Sequence, residues 1–189
     1  MTTVAILPIK EFGRAKQRLG GAPSLAASMA ERVLDALSHS TRLDRVLVVT
    51  REGAAAEAAR ERGFEVVDEP VLAGHNAAAE LGIARALELG ATRALLVPGD
   101  CPLLSAEEID ALLDRHEPGP AVVVVPDRHG TGTNALLLRP PGAIHPAFGP
   151  GSRDRHLGLH PDAVVDEVPG LLLDVDTPED LAALEEARR

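Results

Sequence analysis

Short runs of branched apolar residues alternate along the chain with longer stretches in which apolar positions recur every three or four residues. The first pattern predicts strands and the second helices. Val4–Ile9 is the first β-rich run, and after a loop Ser24–Ser40 reads as a helix. Arg45–Thr50 is the next strand, Ala54–Arg62 an alanine-rich helix and Phe64–Val67 another strand. Ala77–Leu89 is helical up to Gly90, a usual helix stop. Ala94–Pro98 is a strand, and Ser105–His116 a helix opening on Ser105-Ala106-Glu107-Glu108. That opening is a capping box, in which the serine accepts from the third helical amide and the glutamate reaches back. Val122–Val125, Asn134–Leu138, Ala163–Val168 and Leu171–Val175 read as the remaining strands. The last helix, Pro178–Arg188, has Thr177 as cap and proline in the first turn, where its missing amide costs nothing.

Strands rich in Val and Leu, alternating with helices, predict an α/β fold with a mainly parallel sheet covered on both faces. No linker, repeat or low-complexity tract interrupts the alternation, so residues 1–189 read as a single domain. Ligands of such sheets collect beyond the carboxyl ends of the strands. The loops after Ile9, Val97, Leu138 and Leu173 are therefore the ones to examine.

Composition narrows the class. Hydrophobic residues at 45% and charged residues at 25% are globular values and exclude a mainly disordered or fibrous chain. The longest apolar runs fall far short of the roughly 20 residues that cross a bilayer, and no basic leader precedes the first of them. With one cysteine, Cys101, there is no internal disulfide. A soluble, cytoplasmic protein that does not bind membranes is expected. The net charge of −10 argues against nucleic acid as a partner, because that binding rests on neutralising phosphates with Lys and Arg. The charge is uneven, however. Both lysines of the chain, Lys10 and Lys16, fall with Arg14 and Arg18 in one short stretch opposed only by Glu11. A cationic loop at a strand end, in an acidic protein, suits a small and highly charged anion.

That loop matches neither the phosphate loop ending in Gly-Lys-Ser/Thr nor the GxGxxG fingerprint. After the strand ending at Pro98 comes Gly99-Asp100-Cys101-Pro102-Leu103. A carboxylate at the tip of an apolar strand suits Mg²⁺, which takes oxygen ligands and keeps waters and substrate phosphates as the rest. Leu173-Asp174-Val175-Asp176-Thr177-Pro178 carries two carboxylates that point the same way in an extended segment, with Asp176 also placed to start the final helix. A haloacid-dehalogenase phosphatase opens its catalytic domain with such a pair, whereas only 13 residues follow Asp176, which excludes that reading. Gly130-Thr131-Gly132-Thr133-Asn134 and Phe148-Gly149-Pro150-Gly151-Ser152-Arg153 are glycine turns whose amides can approach an anion. Ser152 reads as the cap of a short helix, with Arg153 and Arg155 adding positive charge. Asn76, in Gly74-His75-Asn76-Ala77, either reads a base edge or caps the helix that follows. Five of the seven histidines lie between His116 and His160 without zinc spacing and read as mostly surface residues. Cys101 reads as packing rather than as a nucleophile.

Taken in order, these segments resemble the guanylyltransferases of deazaflavin coenzyme F-420 biosynthesis, the 2-phospho-L-lactate or phosphoenolpyruvate guanylyltransferase family. Leu7-Pro8-Ile9-Lys10, Ala15-Lys16-Gln17-Arg18-Leu19, Gly74-His75-Asn76-Ala77-Ala78 and Gly99-Asp100-Cys101-Pro102-Leu103 carry the first half of the likeness. Gly130-Thr131-Gly132-Thr133, Phe148-Gly149-Pro150-Gly151-Ser152 and Asp174-Val175-Asp176-Thr177-Pro178 carry the second. Gly-Asp-x-Pro and Asp-x-Asp-Thr-Pro are widespread in nucleotidyltransferases; the glycine-turn pair is what narrows the family. The resemblance implies a nucleotidyltransferase fold of the glycosyltransferase-A type with a mainly parallel mixed sheet. It implies Mg²⁺ as cofactor on Asp100 and Asp174, with Asp176 beside them. It further implies a small phospho-acid on Thr133, Gly149 and Ser152, and GTP held by Lys10 and Lys16, with Arg18 and Asn76 as further substrate contacts. A homodimer stays open. Cys101 stands where relatives are expected to have leucine, and Asn134 is a departure next to the acceptor loop.

Two other readings stay open from the sequence. A molybdopterin or sugar-phosphate nucleotidyltransferase shares the metal and nucleotide loops, although its usual Gly-Gly-x-Ser/Ala-x-Arg-Met signature is missing after the first strand. A non-catalytic nucleotide-binding α/β module is the reading from another class, and retention of both carboxylate loops speaks against it.

Overall fold

Among the described residues, seven strands form one sheet. β1 (Thr3–Ile9), β2 (Arg45–Thr50), β3 (Glu65–Asp68) and β4 (Arg93–Leu96) are all parallel, in the order β3-β2-β1-β4. β6 (Thr133–Leu138) runs antiparallel beside β4, and β5 (Val122–Pro126) pairs with it on the far side. A two-residue strand, β7 (Val164–Val165), closes that edge parallel to β5. A mainly parallel mixed sheet is what the sequence predicts, and the reversal at β6 is what makes it mixed. The structure is a computed structural model that describes residues 1–12, 23–69 and 74–187.

Helices cover both faces because every central strand is buried on both. Alternate residues of β1 sort into two clusters: Ala5 and Leu7 pack under α1 (Pro23–His39), α2 (Gly53–Glu61) and α4 (Ala106–Arg115), while Val4 and Ile6 pack under α3 (His75–Glu88). α3 lies close to the sheet at Gly82, where a Cβ would fall inside the contact distance of Ile6 Cγ2 and 3.2 Å from Val49 Cγ2. Beyond β6 come α5 (Ser152–Gly158), the single turn α6 (Pro169–Leu172) and α7 (Pro178–Ala187). The capping box at α4 is present with both reciprocal bonds, and Thr177 Oγ1 accepts from the Asp180 amide at the start of α7 (3.2 Å). No described helix is long and apolar enough to cross a membrane.

Two predicted strands are corrected. Leu171–Val175 forms no ladder. Its first two residues finish α6, because Pro169 starts a helical turn and Gly170 sits where a Cβ would meet the Leu103 carbonyl at 2.6 Å. The rest runs extended, with one backbone bond from the Val175 amide to the Asp100 carbonyl (3.1 Å). Ala163–Val168 shrinks to β7, with Val164 and Val165 exposed at the sheet edge.

Candidate functional site

The carboxyl ends of β1 and β4 lie side by side, and the residues beyond them line an open cleft. Lys10 follows β1 directly and is exposed, while Pro98, Gly99 and Asp100 follow β4. Met29 and Ala30 of α1 form the apolar floor, with His75 and Asp176 at the sides. Lys10 and Asp100 both act electrically on His75, whose pKa is lowered first by burial and then by Lys10, with Asp100 opposing. Lys16 and Arg18, with Arg14, lie outside the described residues.

The second carboxylate loop is tied to the first through the Val175–Asp100 backbone bond. Alternation in this extended segment buries Leu173 and Val175 against Met29 and Leu184 and leaves Asp174 and Asp176 on the other side. Asp174 is half-buried and Asp176 exposed. Burial, and next to it the charge of Asp100, raises the Asp174 pKa; the Asn134 amide opposes this, and Asp176 adds to it. Clustered carboxylates that repel one another in a partly dry setting are a hard-cation donor set. Among the described residues no three His, Cys, Asp or Glu side chains form a complete metal cage. A Mg²⁺ ion that draws its remaining ligands from water and phosphate does not require one.

Asn134 is where the sheet reaches this loop. Its Nδ2 donates to the Leu171 carbonyl (2.6 Å) and to Asp174 Oδ1 (3.3 Å). Simple alternation would put Asn134 and Ala135 on opposite faces. Val125 pairs with Ala135, however, and Pro126 with Thr133, so Asn134 is an extra residue in β6. The bulge turns Asn134 toward Leu171, which packs with Ala135, and leaves Thr133 facing α5. Asn134 thus braces the carboxylate loop, where the sequence suggests a change in the acceptor pocket.

The glycine turn at Phe148 packs beside the start of α3 through Asn76. Gly149 (φ 119°) and Gly151 (φ 70°) are both in the positive-φ region that favours glycine. Gly151 takes the cap position of α5, so Ser152 is the first helical residue and not the cap that the sequence predicts; it is 1% exposed. Arg153 and Arg155 both have partners within the protein. Arg153 pairs with Asp154 (2.9 Å), and Arg155 donates to the carbonyls of Ala147 (2.8 Å) and Pro150 (2.6 Å), holding the turn together. The Arg153 amide donates to the Thr131 carbonyl (3.2 Å), joining the two glycine loops. Asn76, in the first turn of α3, spends its side chain on Phe148. Its Oδ1 accepts from the Phe148 amide (2.7 Å) and its Nδ2 donates to the Phe148 carbonyl (3.3 Å). It ties the Phe148 turn to α3 and does not cap its own helix, since at Gly74, the cap, no side chain bonds.

A chain of contacts leads away from the cleft at His75 and back to it at Asp100. His75 meets Phe148 edge-on (ring centroids 4.8 Å), Phe148 meets His156 in the same way (5.1 Å), and His156 Nδ1 lies 2.9 Å from Thr133 Oγ1. Next to Thr133, Asn134 reaches Asp174, whose loop bonds to Asp100. His156 is 0% exposed, against the surface position expected for it. The signal in the sequence was its spacing, four residues after Ser152 and so on the same face of α5. Cys101 is buried, with its thiol toward the Leu171 carbonyl (3.7 Å), as packing requires.

Residues 13–158 match the family model of the MobA-like NTP transferase domain. A phosphoenolpyruvate guanylyltransferase of Conexibacter woesei is 45% identical over 98% of this chain and 88% of its own. Those of Rubrobacter xylanophilus and Sphaerobacter thermophilus are 43% and 39% identical over 98% and 97% of this chain, and 94% and 93% of theirs. Among solved structures, a Methanothermobacter nucleotidyl transferase superposes with a TM-score of 0.73 at 19% identity, covering 98% of this chain and 97% of its own. The 4-diphosphocytidyl-2C-methyl-D-erythritol synthase of Anaerococcus prevotii also scores 0.73, at 12% identity, covering 100% and 96%. At those identities the structures speak for the fold alone.

Proposed function

The chain belongs to the MobA-like NTP transferase family and, within it, to the phosphoenolpyruvate guanylyltransferases, and from that premise we propose that it joins GTP to phosphoenolpyruvate. A phosphate oxygen of the acceptor attacks the α-phosphorus of GTP, the bond from that phosphorus to the bridging oxygen of the β-phosphate breaks, and pyrophosphate leaves. The product is a guanosine diphospho-acid, the activated form that deazaflavin coenzyme F-420 biosynthesis takes up. What supports this most is that Lys10 and Asp100 share one cleft, and that the Asp174 loop is bonded to Asp100 and, through Asn134, to the strand that carries Thr133.

Little proton chemistry is needed, since the attacking phosphate is already anionic at neutral pH. Positioning and charge neutralisation carry the rate. Lys10, with Lys16 and Arg18, balances the triphosphate. Thr133, Gly149 and Ser152 hold the phospho-acid against Asp100 and Asp174. Those two carboxylates, with Asp176 beside them, would hold Mg²⁺, which when bound neutralises phosphate charge at the point of attack. Phospholactate is phosphoenolpyruvate with its carbon–carbon double bond reduced, and discrimination of that size is worth only about 1–3 kcal/mol. The likeness to phosphoenolpyruvate guanylyltransferases supports phosphoenolpyruvate as the preferred acceptor, and the small difference leaves measurable turnover of phospholactate.

The test is pyrophosphate release with GTP and Mg²⁺ across phosphoenolpyruvate, phospholactate, phosphoglycerate, sugar phosphates and molybdopterin. Phosphoenolpyruvate should give the highest kcat/KM, and GTP should exceed CTP and ATP. A sugar phosphate or molybdopterin as best acceptor, or no release with any, would overturn the reading.

A further inference from the structure

Behind the acceptor loop lies a wholly buried histidine whose two ring nitrogens are both engaged. The Ala147 amide donates to His156 Nε2 at 2.8 Å. A backbone N–H can only donate, so Nε2 is an acceptor and carries no proton. The proton of the neutral ring is therefore on Nδ1, and Nδ1–H donates to Thr133 Oγ1 at 2.9 Å. An imidazolium would set one N–H against another at Ala147. Burial, and next to it the charge of Arg155, lowers the pKa to about 4, in keeping with a neutral ring. Phe148 closes the ring's open side, with His75 beyond it.

The consequence falls on Thr133. A threonine hydroxyl has one proton and two lone pairs. Were it to donate to the ring, it would turn lone pairs toward an anion and repel it. With the ring as donor, one lone pair is used and the hydroxyl proton remains to be given. Among the described residues, Thr133 Oγ1 makes no further side-chain hydrogen bond.

We propose that His156 is a positioning residue for the phospho-acid: by donating Nδ1–H to Thr133 Oγ1, it makes the Thr133 hydroxyl a fixed donor to the acceptor anion. This rests on the reading of Thr133 as an acceptor contact. It assigns to the chain an acceptor-specificity element outside the loops that touch substrate, and it explains why a buried histidine stands one turn after Ser152.

Two substitutions separate its two bonds. His156→Asn keeps a side-chain N–H near the Nδ1 position and gives up the Ala147 contact, whereas His156→Gln can serve Ala147 but loses the donor to Thr133. The expected result is a KM for phosphoenolpyruvate raised about tenfold or more in His156→Gln, much less change in His156→Asn, and an unchanged KM for GTP in both. Adding His156→Gln to Thr133→Val should then cause no further rise. In the wild-type protein, ¹⁵N-histidine correlation spectra at pH 7 should show the Nδ1–H tautomer for His156, which needs no variant to fold. The Nε2–H tautomer, equal effects of Asn and Gln, or a change in KM for GTP would overturn the proposal. If the tautomer is as expected but Thr133→Val leaves the acceptor KM unmoved, the acceptor reading of Thr133 is what fails, and the proposal falls with it.

Discussion

Burial shifts the pKa of both Asp174 and His156, upward in the carboxylate and downward in the imidazole. The Asp174 carboxylate is half-buried among like charges, and its only described side-chain donor is Asn134. Asp174→Asn should abolish turnover, by about 10²-fold or more, the usual scale for losing a preorganised charge contact. In metal-free buffer the same variant should melt no lower than the wild type, because a neutral amide has no charge to bury. A thermal melt beside a pyrophosphate assay reads both effects. For His156 the sign is that of a lowered pKa. The unfolded imidazole takes up its proton near pH 6.5 and the folded one only near pH 4. Stability is therefore whole above the unfolded value and is lost as pH falls between the two, by at most about 3 kcal/mol. Arg155 on the same helix works in this direction, and a proton on His75 across Phe148 would add to it. Urea melts at pH 7.5 and 4.5 should show a smaller loss in His156→Asn than in the wild type.

At the scale of elements, the site depends on how closely α3 lies on the sheet. His75 and Asn76 start that helix, and its depth fixes where they meet Phe148. Gly82 sets the depth. Gly82→Ala adds a methyl against Ile6 and Val49 in the centre of the sheet, and overpacking there costs about 1–3 kcal/mol. Ala is a better helix former than Gly by about 1 kcal/mol, so the net expectation is a loss of about 1 kcal/mol. Gly53→Ala in α2, where a Cβ meets nothing within 4 Å, should instead be neutral or slightly stabilising. Chemical denaturation of the two variants checks the opposite signs. The same reasoning explains the strand that failed to form. Leu171–Val175 has the composition of a strand, but Pro169 and the close approach at Gly170 commit its first residues to a helical turn. What remains is held by burial of Leu173 and Val175.

Across the whole molecule, the chain must bring together two anionic substrates on a protein of net charge −10. Lys10 is exposed beyond β1, and an exposed cation is screened by salt within about 10 Å at 0.1 M. Raising NaCl from 50 to 500 mM should therefore raise the KM for GTP several-fold while changing kcat less. Chelation of divalent ions should stop turnover, and added Mg²⁺ should restore it. Turnover that survives chelation would remove Asp100 and Asp174 from the role proposed for them.

The βα alternation, the two-sided burial of the strands and the loops that carry Lys10, Asp100, Asp174, Thr133 and Ser152 were all legible in the sequence. Each depends on local periodicity or on residue type at a strand end, and both are one-dimensional signals. The capping box at Ser105 was legible for the same reason. Tertiary structure alone decided the rest. The bulge at Asn134 puts two neighbouring side chains, Asn134 and Ala135, on one face, which no periodicity encodes. Asn76 and Arg155 bond to the backbone of Phe148, Ala147 and Pro150, partners that only the packed chain brings near. His156 read as a surface residue because a histidine carries no mark of burial. It became a buried donor only when α5 folded over Thr133 and the Ala147 amide fixed which of its nitrogens holds the proton.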